Sequence, residues 1–227
     1  MYSVGGGALS EGKGKDDMFY TEPVYELSTL KAIQHWCEES GRGFWEYTDE
    51  CEGSEIWDYL HEVWLMMCNA VERGLENDGV LPGPLKLSRK ASNYYIKALS
   101  YRSSLQSRGL VYAYALAVSE ENASGGTIVT APTCGSCGVM PGVLYHLAKA
   151  HQFSERKILR ALATAGLFGN VVKANASISG AEVGCQGEVG VACAMASAAA
   201  CQLFGGTPSQ IEYAAEMGLE HHLGMTC

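Results

Sequence analysis

Basic residues are scarce. The 227-residue sequence holds 16 Lys and Arg against 25 Asp and Glu, a formal charge of −9 with a pI near 5.1. No cationic surplus exists to neutralise phosphates, so no nucleic-acid partner is expected. Long apolar runs are scarce too. The longest nearly uncharged stretch, Val189 to Leu203, is about fifteen residues and rich in Ala. It falls short of the ~20 residues that a membrane helix needs, so no membrane partner is expected and the stretch reads as a tightly packed buried helix. Proline is limited to 6 residues, too few for a Pro-rich linker. The opening Met1-Tyr-Ser-Val-Gly-Gly-Gly lacks the charged-then-apolar order of a secretory signal. No GxxxxGK[ST], GxSxG, HExxH or defensible GxGxxG pattern occurs. No glycine-rich phosphate loop is paired with a Schiff-base lysine, which disfavours pyridoxal phosphate.

What is present is a globular composition, 47% hydrophobic and 18% charged, enough for a sizeable core. The length suits one large domain or two small ones. Nine cysteines are too dilute for a disulfide scaffold, and the number is odd. A reducing cytoplasm is the expected compartment, with the cysteines as thiols, core residues or metal ligands.

The pattern turns helical from about Glu26, with Leu27, Leu30, Ile33 and Trp36 ahead of a stop at Gly41. Ser54 then reads as the N-cap of a helix striped by Ile56, Leu60, Val63, Trp64, Met67 and Val71, ending at Asn77-Asp-Gly. Leu81-Pro-Gly-Pro-Leu is a rigid loop. Lys86, Arg89 and Lys90 read as a solvated face. A helix is expected over roughly Ser107–Glu121, and Asn122 to Gly126 breaks it. Thr127-Ile-Val-Thr looks strand-like. Pro141 suits the first turn of a helix. Ser154 caps the next, and Thr207-Pro-Ser-Gln is a capping box. About eight helices and little sheet give a mainly α fold: a single all-helical domain after a short strand-like segment, Tyr2 to Ser10. Glu11 to Asp17 is a charged loop in which Lys13 and Lys15 are expected to be solvated.

Three stretches could carry chemistry. In Asn175 to Gly190, the glycines Gly180, Gly184, Gly187 and Gly190 recur every three or four residues. Each costs roughly 1 kcal/mol against Ala inside a helix, so the segment needs a compensating gain. That gain is close helix packing, or a site lined by Ser177, Ser179, Glu182 and Cys185. In Thr130-Ala-Pro-Thr-Cys-Gly-Ser-Cys-Gly-Val-Met-Pro, hydroxyls and main-chain N–H groups precede a helix start. Such a loop can hold an anion such as a carboxylate. Its lone CxxC, Cys134 and Cys137, reads as a redox pair, half a zinc site or simple loop packing. At the C-terminus, His221 and His222 point roughly 100° apart on a helix, so they cannot both face one site.

These stretches also carry a resemblance. The run Ala176 to Cys193, the loop Thr130 to Pro141 and Glu220-His-His-Leu-Gly-Met-Thr-Cys resemble the iron–sulfur-dependent L-serine dehydratase family. Glu76-Asn-Asp-Gly-Val-Leu-Pro-Gly-Pro-Leu and Glu120-Glu-Asn-Ala-Ser-Gly-Gly resemble further blocks of it, in the same order. The resemblance implies an L-serine ammonia-lyase that makes pyruvate and ammonia without pyridoxal phosphate. It implies a [4Fe–4S] cluster held by three cysteines with one iron open, and assigns two of them to Cys185 and Cys227. The third would follow beyond Cys227. Residues 1–20 would be the end of an N-terminal domain plus linker, and residues 21–227 the central part of the catalytic α domain, truncated at its C-terminus.

Within that frame, Thr130, Thr133, Cys134, Gly135 and Gly138 are expected to bind the substrate carboxylate. Some family members have Asn where Cys134 stands, so backbone or Thr133 would make that contact here. Ser177, Ser179 and Glu182 are expected around the ammonium or hydroxyl, with His221 orienting a ligand from behind. Cys193 sits about 12 Å along the helix axis from Cys185, too far to share one cluster. Cys37, Cys51, Cys68 and Cys201 read as buried thiols. A homo-oligomer is expected. The alternatives are the same lyase chemistry on L-threonine or L-cysteine, or a non-catalytic fragment. In the last case a separate partner chain would supply the N-terminal domain and the missing ligand.

Overall fold

The computed structural model describes residues 24–224 in full and the backbone of residues 2–5 and 8–10. The expected charged loop with Lys13 and Lys15, and Cys227, lie outside the described residues.

The N-terminal strand-like segment forms two strands, β1 (Tyr2–Gly5) and β2 (Ala8–Ser10). They pair antiparallel with Tyr2 opposite Ser10 and an irregularity between Ser3 and Gly5. Nine α-helices follow among the described residues: α1 (Leu30–Ser40), α2 (Phe44–Glu52), α3 (Ile56–Glu76), α4 (Ala91–Leu99), α5 (Ser103–Ala123), α6 (Val139–His151), α7 (Glu155–Asn175), α8 (Gly180–Leu203) and α9 (Pro208–Glu220). The mainly α expectation holds.

Local chemistry explains most boundaries. The Thr29 hydroxyl accepts from the Ala32 N–H (3.3 Å) to start α1, and Gly41 ends it in the left-handed region at φ 67°. At α9 the capping box closes both ways: Gln210 N–H donates to Thr207 Oγ1 (3.4 Å), and Thr207 N–H donates to Gln210 Oε1 (2.9 Å). Ser54 is not the cap of α3; Glu55 holds that position without a side-chain bond. The strand expected at Thr127–Thr130 does not form. Among the described residues no strand lies beside it, and Arg73 Nη2 instead donates to the Thr127 carbonyl (2.6 Å).

Two apolar clusters share α7 and α8. One joins Met67 and Val71 of α3, Val118 of α5, Leu144 of α6 and Ile158 of α7 to Val191 of α8. The other sets Ile33, Phe44 and Tyr47 of α1 and α2 against Leu167 and Phe168 of α7 and Ala198 of α8. Phe44 and Phe168 meet edge-on at 5.1 Å. Helix α8 is therefore buried on several sides from Gly190 onward, as its alanines require. Of the thiols expected in the core, Cys37 is buried, whereas Cys51, Cys68 and Cys201 are only partly covered.

A charged latch joins the end of α3, the segment before α4 and the end of α5. Glu121 of α5 is 4% exposed. It accepts from Arg73 Nε (3.2 Å), Asn77 Nδ2 (2.9 Å) and Arg89 Nη1 (3.2 Å). Arg89 also donates to Ser124 Oγ (2.6 Å). The solvated face expected over Lys86–Lys90 is thus wrong for Arg89, whose side chain is only 9% exposed. Burial alone would raise the Glu121 pKa, but the Asn77, Arg73 and Arg89 hydrogen bonds outweigh it and hold the carboxyl below its ordinary range. Next door, Glu120 accepts from the Lys90 N–H (2.6 Å) at the start of α4.

Candidate functional site

Helix α7 ends at Asn175, whose amide donates to the carbonyls of Ser28 (2.6 Å) and Val171 (2.8 Å). The chain then crosses to α8 through Ala176–Ser179, and a cleft of about 680 Å³ opens at this crossing. Gly166, Asn170 and Lys173 of α7 line it at i, i+4 and i+7, which is one helical face. A Cβ at Gly166 would meet nothing within 4 Å, as expected for a residue facing open space. The crossing contributes Ser177 and Ser179, the first turn of α8 contributes Glu182, and the loop before α6 contributes Thr130 and Pro132. Tyr25 and Glu52 also line the cleft, joined by a hydrogen bond from the Tyr25 hydroxyl to Glu52 Oε1 (2.8 Å). Burial, reinforced by that carboxylate, pushes the Tyr25 phenol well above its usual range.

Among the described residues Lys173 is the one cation that lines the cleft, and it shares the space with the carboxylates of Glu52 and Glu182. The Ser177 hydroxyl donates to Glu182 Oε2, and the Ser179 N–H donates to Ser177 Oγ (3.1 Å). This ties the crossing to the first turn of α8.

Gly184 breaks α8 at φ 71°, ψ −176°, a conformation that costs other residues strain. Cys185 is the first residue beyond the break and is exposed. Helical φ/ψ runs on from there, so Cys185 stands at the positive, N-terminal end of a long helical segment. Cys193 lies on the same unbroken segment, so the expected separation of about 12 Å stands. Its thiol sits 3.6 Å from His222 Nε2, and burial raises its pKa.

The loop before α6 is organised by a residue the sequence pattern does not reveal. Glu188 of α8 accepts from the Thr133 hydroxyl and from the Gly135 N–H (3.1 Å). The Cys134 carbonyl accepts from Asn122 Nδ2 (3.0 Å). Cys134 is exposed, while burial pushes the Cys137 thiol up to about 11. Gly138 caps α6, where a Cβ would run into the Ala115 carbonyl.

The structure therefore gathers Thr130, Ser177, Ser179 and Glu182 around one cleft, and sets Thr133 and Gly135 on Glu188. His221 is exposed and away from the cleft lining, with Nδ1 2.7 Å from the Met217 carbonyl. His222 is the histidine turned toward α8. Lys173 and Asn170 have a local signal, the helical spacing with Gly166. Tyr25 and Glu52 have none, because only the tertiary fold brings them to the cleft.

As for a cluster, Cys185 fits a ligand: a cysteine, exposed, at a helix start. Among the described residues no group of three His, Cys, Asp or Glu side chains is assembled around it. Cys227 lies outside the described residues. Among the described residues, too, no helix is long and apolar enough to cross a membrane.

A mainly helical domain with a cleft at a glycine-broken helix, bordered by a Thr-Ala-Pro-Thr-Cys-Gly loop, is the class that fold and site define. The family model described as serine dehydratase alpha chain matches residues 21–227, and the chain belongs to that family. It is similar to the L-serine dehydratase of Haemophilus influenzae, 41% identical over 239 residues, covering 100% of this chain and 52% of the relative. It is 42% identical over 240 residues to the L-serine dehydratase of Streptomyces coelicolor, covering 100% of this chain and 52% of that protein. It is also 40% identical over 238 residues to L-serine dehydratase 2 of Escherichia coli, with the same coverage of 100% and 52%. The chain spans about half the length of the curated relatives it matches.

Proposed function

We propose that the chain is the catalytic core of a [4Fe–4S]-dependent L-serine ammonia-lyase. The overall reaction removes water from L-serine to give aminoacrylate, which tautomerises and hydrolyses to pyruvate and ammonia. The observation that carries the reading is the charge pattern of the cleft: the cation of Lys173 with the Ser177–Glu182 pair in the same space. A small zwitterion needs this arrangement. The similarity to proteins named L-serine dehydratase supports serine as that zwitterion.

In this reading Lys173 and the Thr130 end of the loop take the substrate carboxylate. Thr133, Cys134, Gly135 and Gly138 shape that loop. Glu182, oriented by Ser177, receives the ammonium, and Ser179 orients the hydroxyl. His221 orients through a neighbour from outside the cleft. Cys185 and Cys227 hold the cluster, which supplies a Lewis acid for departure of the hydroxyl. Removal of the α-proton falls to a positioned base. The reading includes a cytoplasmic homo-oligomer and no pyridoxal phosphate.

The test is anaerobic iron–sulfur reconstitution of the natural-length protein and its Cys185→Ser variant, followed by iron analysis and the visible spectrum. Wild type binds about four irons with broad cluster absorption, and the variant loses it. Full iron content in Cys185→Ser overturns the ligand assignment.

A further inference from the structure

The carboxylate of Glu188 sits in a socket made for it. Thr133 donates its hydroxyl and Gly135 its N–H to the same oxygen, Oε1. Two glycines make the room. A Cβ at Gly135 would come within 2.5 Å of Oε1, and a Cβ at Gly180 within 2.6 Å of Oε2. Any side chain at either position would push the carboxylate out. Two donors from one loop, and two missing side chains from separate elements, converge on a single carboxylate. Hydrogen bonds to an ionised acceptor are among the stronger ones, and main-chain N–H to carboxylate is directional.

Glu188 is not among the residues that line the cleft, but both elements it joins are. Thr130 and Pro132 precede Thr133 by a few residues, and Ser177, Ser179 and Glu182 belong to the crossing and first turn of α8. Glu188 itself lies past the Gly184 break. It therefore ties the loop wall of the cleft to the helix beyond the break, with its other carboxylate oxygen packed against Gly180 at the start of α8.

We propose that Glu188 is a positioning residue for the lyase reaction. It holds the Thr130–Gly135 loop in register with the Ser177–Glu182 wall, acting through Thr133 and Gly135 and not on substrate. The assignment rests on the serine-lyase reading for its kinetic arm only.

The experiment compares Glu188→Gln, Glu188→Ala and Thr133→Val in the natural-length protein, with two readouts. The first is hydrogen exchange at the Gly135 amide, which needs no turnover. Loss of the acceptor in Glu188→Ala is expected to speed exchange there by about tenfold or more, with Glu188→Gln close to wild type because its amide oxygen still accepts. The second is steady-state pyruvate formation. Glu188→Ala is expected to raise KM for L-serine about tenfold to a hundredfold with a smaller change in kcat, and Glu188→Gln to restore KM to within about threefold. Thr133→Val falls between them.

Wild-type exchange at Gly135 in Glu188→Ala overturns the proposal. So does a Glu188→Gln variant as impaired as Glu188→Ala, with a shifted pH profile, because Glu188 would then act by its charge on the reaction. If the wild-type protein does not turn over L-serine, the lyase reading fails while the exchange arm still decides the role of Glu188.

Discussion

Replacing Glu121 by Gln removes the negative charge at the centre of the latch while keeping its shape. The carboxylate is 6% exposed at its side chain, and Arg89 is 9% exposed, so the pair is desolvated. Arg73 is 39% exposed, and water screens its share. Removing one partner of a buried pair leaves the other charge uncompensated, which costs about 3 kcal/mol. In a domain of this size each kcal/mol moves Tm by roughly 2–4 °C, so Glu121→Gln should melt roughly 6–12 °C lower. The sign of the pH dependence follows from the lowered carboxyl pKa. A group whose pKa is lower folded than unfolded adds stability above its unfolded value, near 4.3, and that stability is lost as pH falls through the folded value. Wild type and variant should therefore differ most above the unfolded value and converge only as pH falls through the lower, folded value. Thermal melts by circular dichroism from pH 3 to 8 measure this. A Glu121→Gln variant melting within about 2 °C of wild type at pH 7 would refute the reasoning, as would a gap that widens on acidification.

Three further outcomes are expected. Lys173→Gln removes a cation that lines the cleft and should raise KM for L-serine about tenfold or more in pyruvate assays, with Tm unchanged because the residue is exposed. Gly184→Ala forces a Cβ into φ 71°, which costs about 1–3 kcal/mol; a lower melting temperature, with reduced iron retention after reconstitution, would register it. Iodoacetamide at pH 8 should alkylate exposed Cys134 well before Cys137, whose thiol burial lifts to about 11; peptide mass mapping after brief exposure reads the order.

The legible parts of this fold are those with local causes. Thr207 and Gln210 announce the start of α9 within four residues, Gly41 announces the end of α1, and the alanines of Val189–Leu203 announce burial. The short helices α2 and α4 have nine residues each, too few to display a periodic stripe. Thr127–Thr130 has β-branched character but, among the described residues, no strand beside it, so propensity yields to context. Arg89 looks solvated in sequence because its partner Glu121 is 32 residues away. The same distance problem hides the site's tertiary members. Ser177, Ser179 and Glu182 stand out in a glycine-rich run, whereas Glu188 meets Thr133 across 55 residues, and Tyr25 and Glu52 reach the cleft only through packing.

The central claim is that the cleft at the α7–α8 crossing dehydrates L-serine. Its most direct test is coupled detection of pyruvate and ammonia from L-serine, using the natural-length protein reconstituted anaerobically, with Glu182→Gln alongside. The account expects one pyruvate per ammonia in wild type and a loss of about tenfold or more in kcat/KM in the variant. Full activity in Glu182→Gln, or none in wild type carrying its four irons, would contradict it.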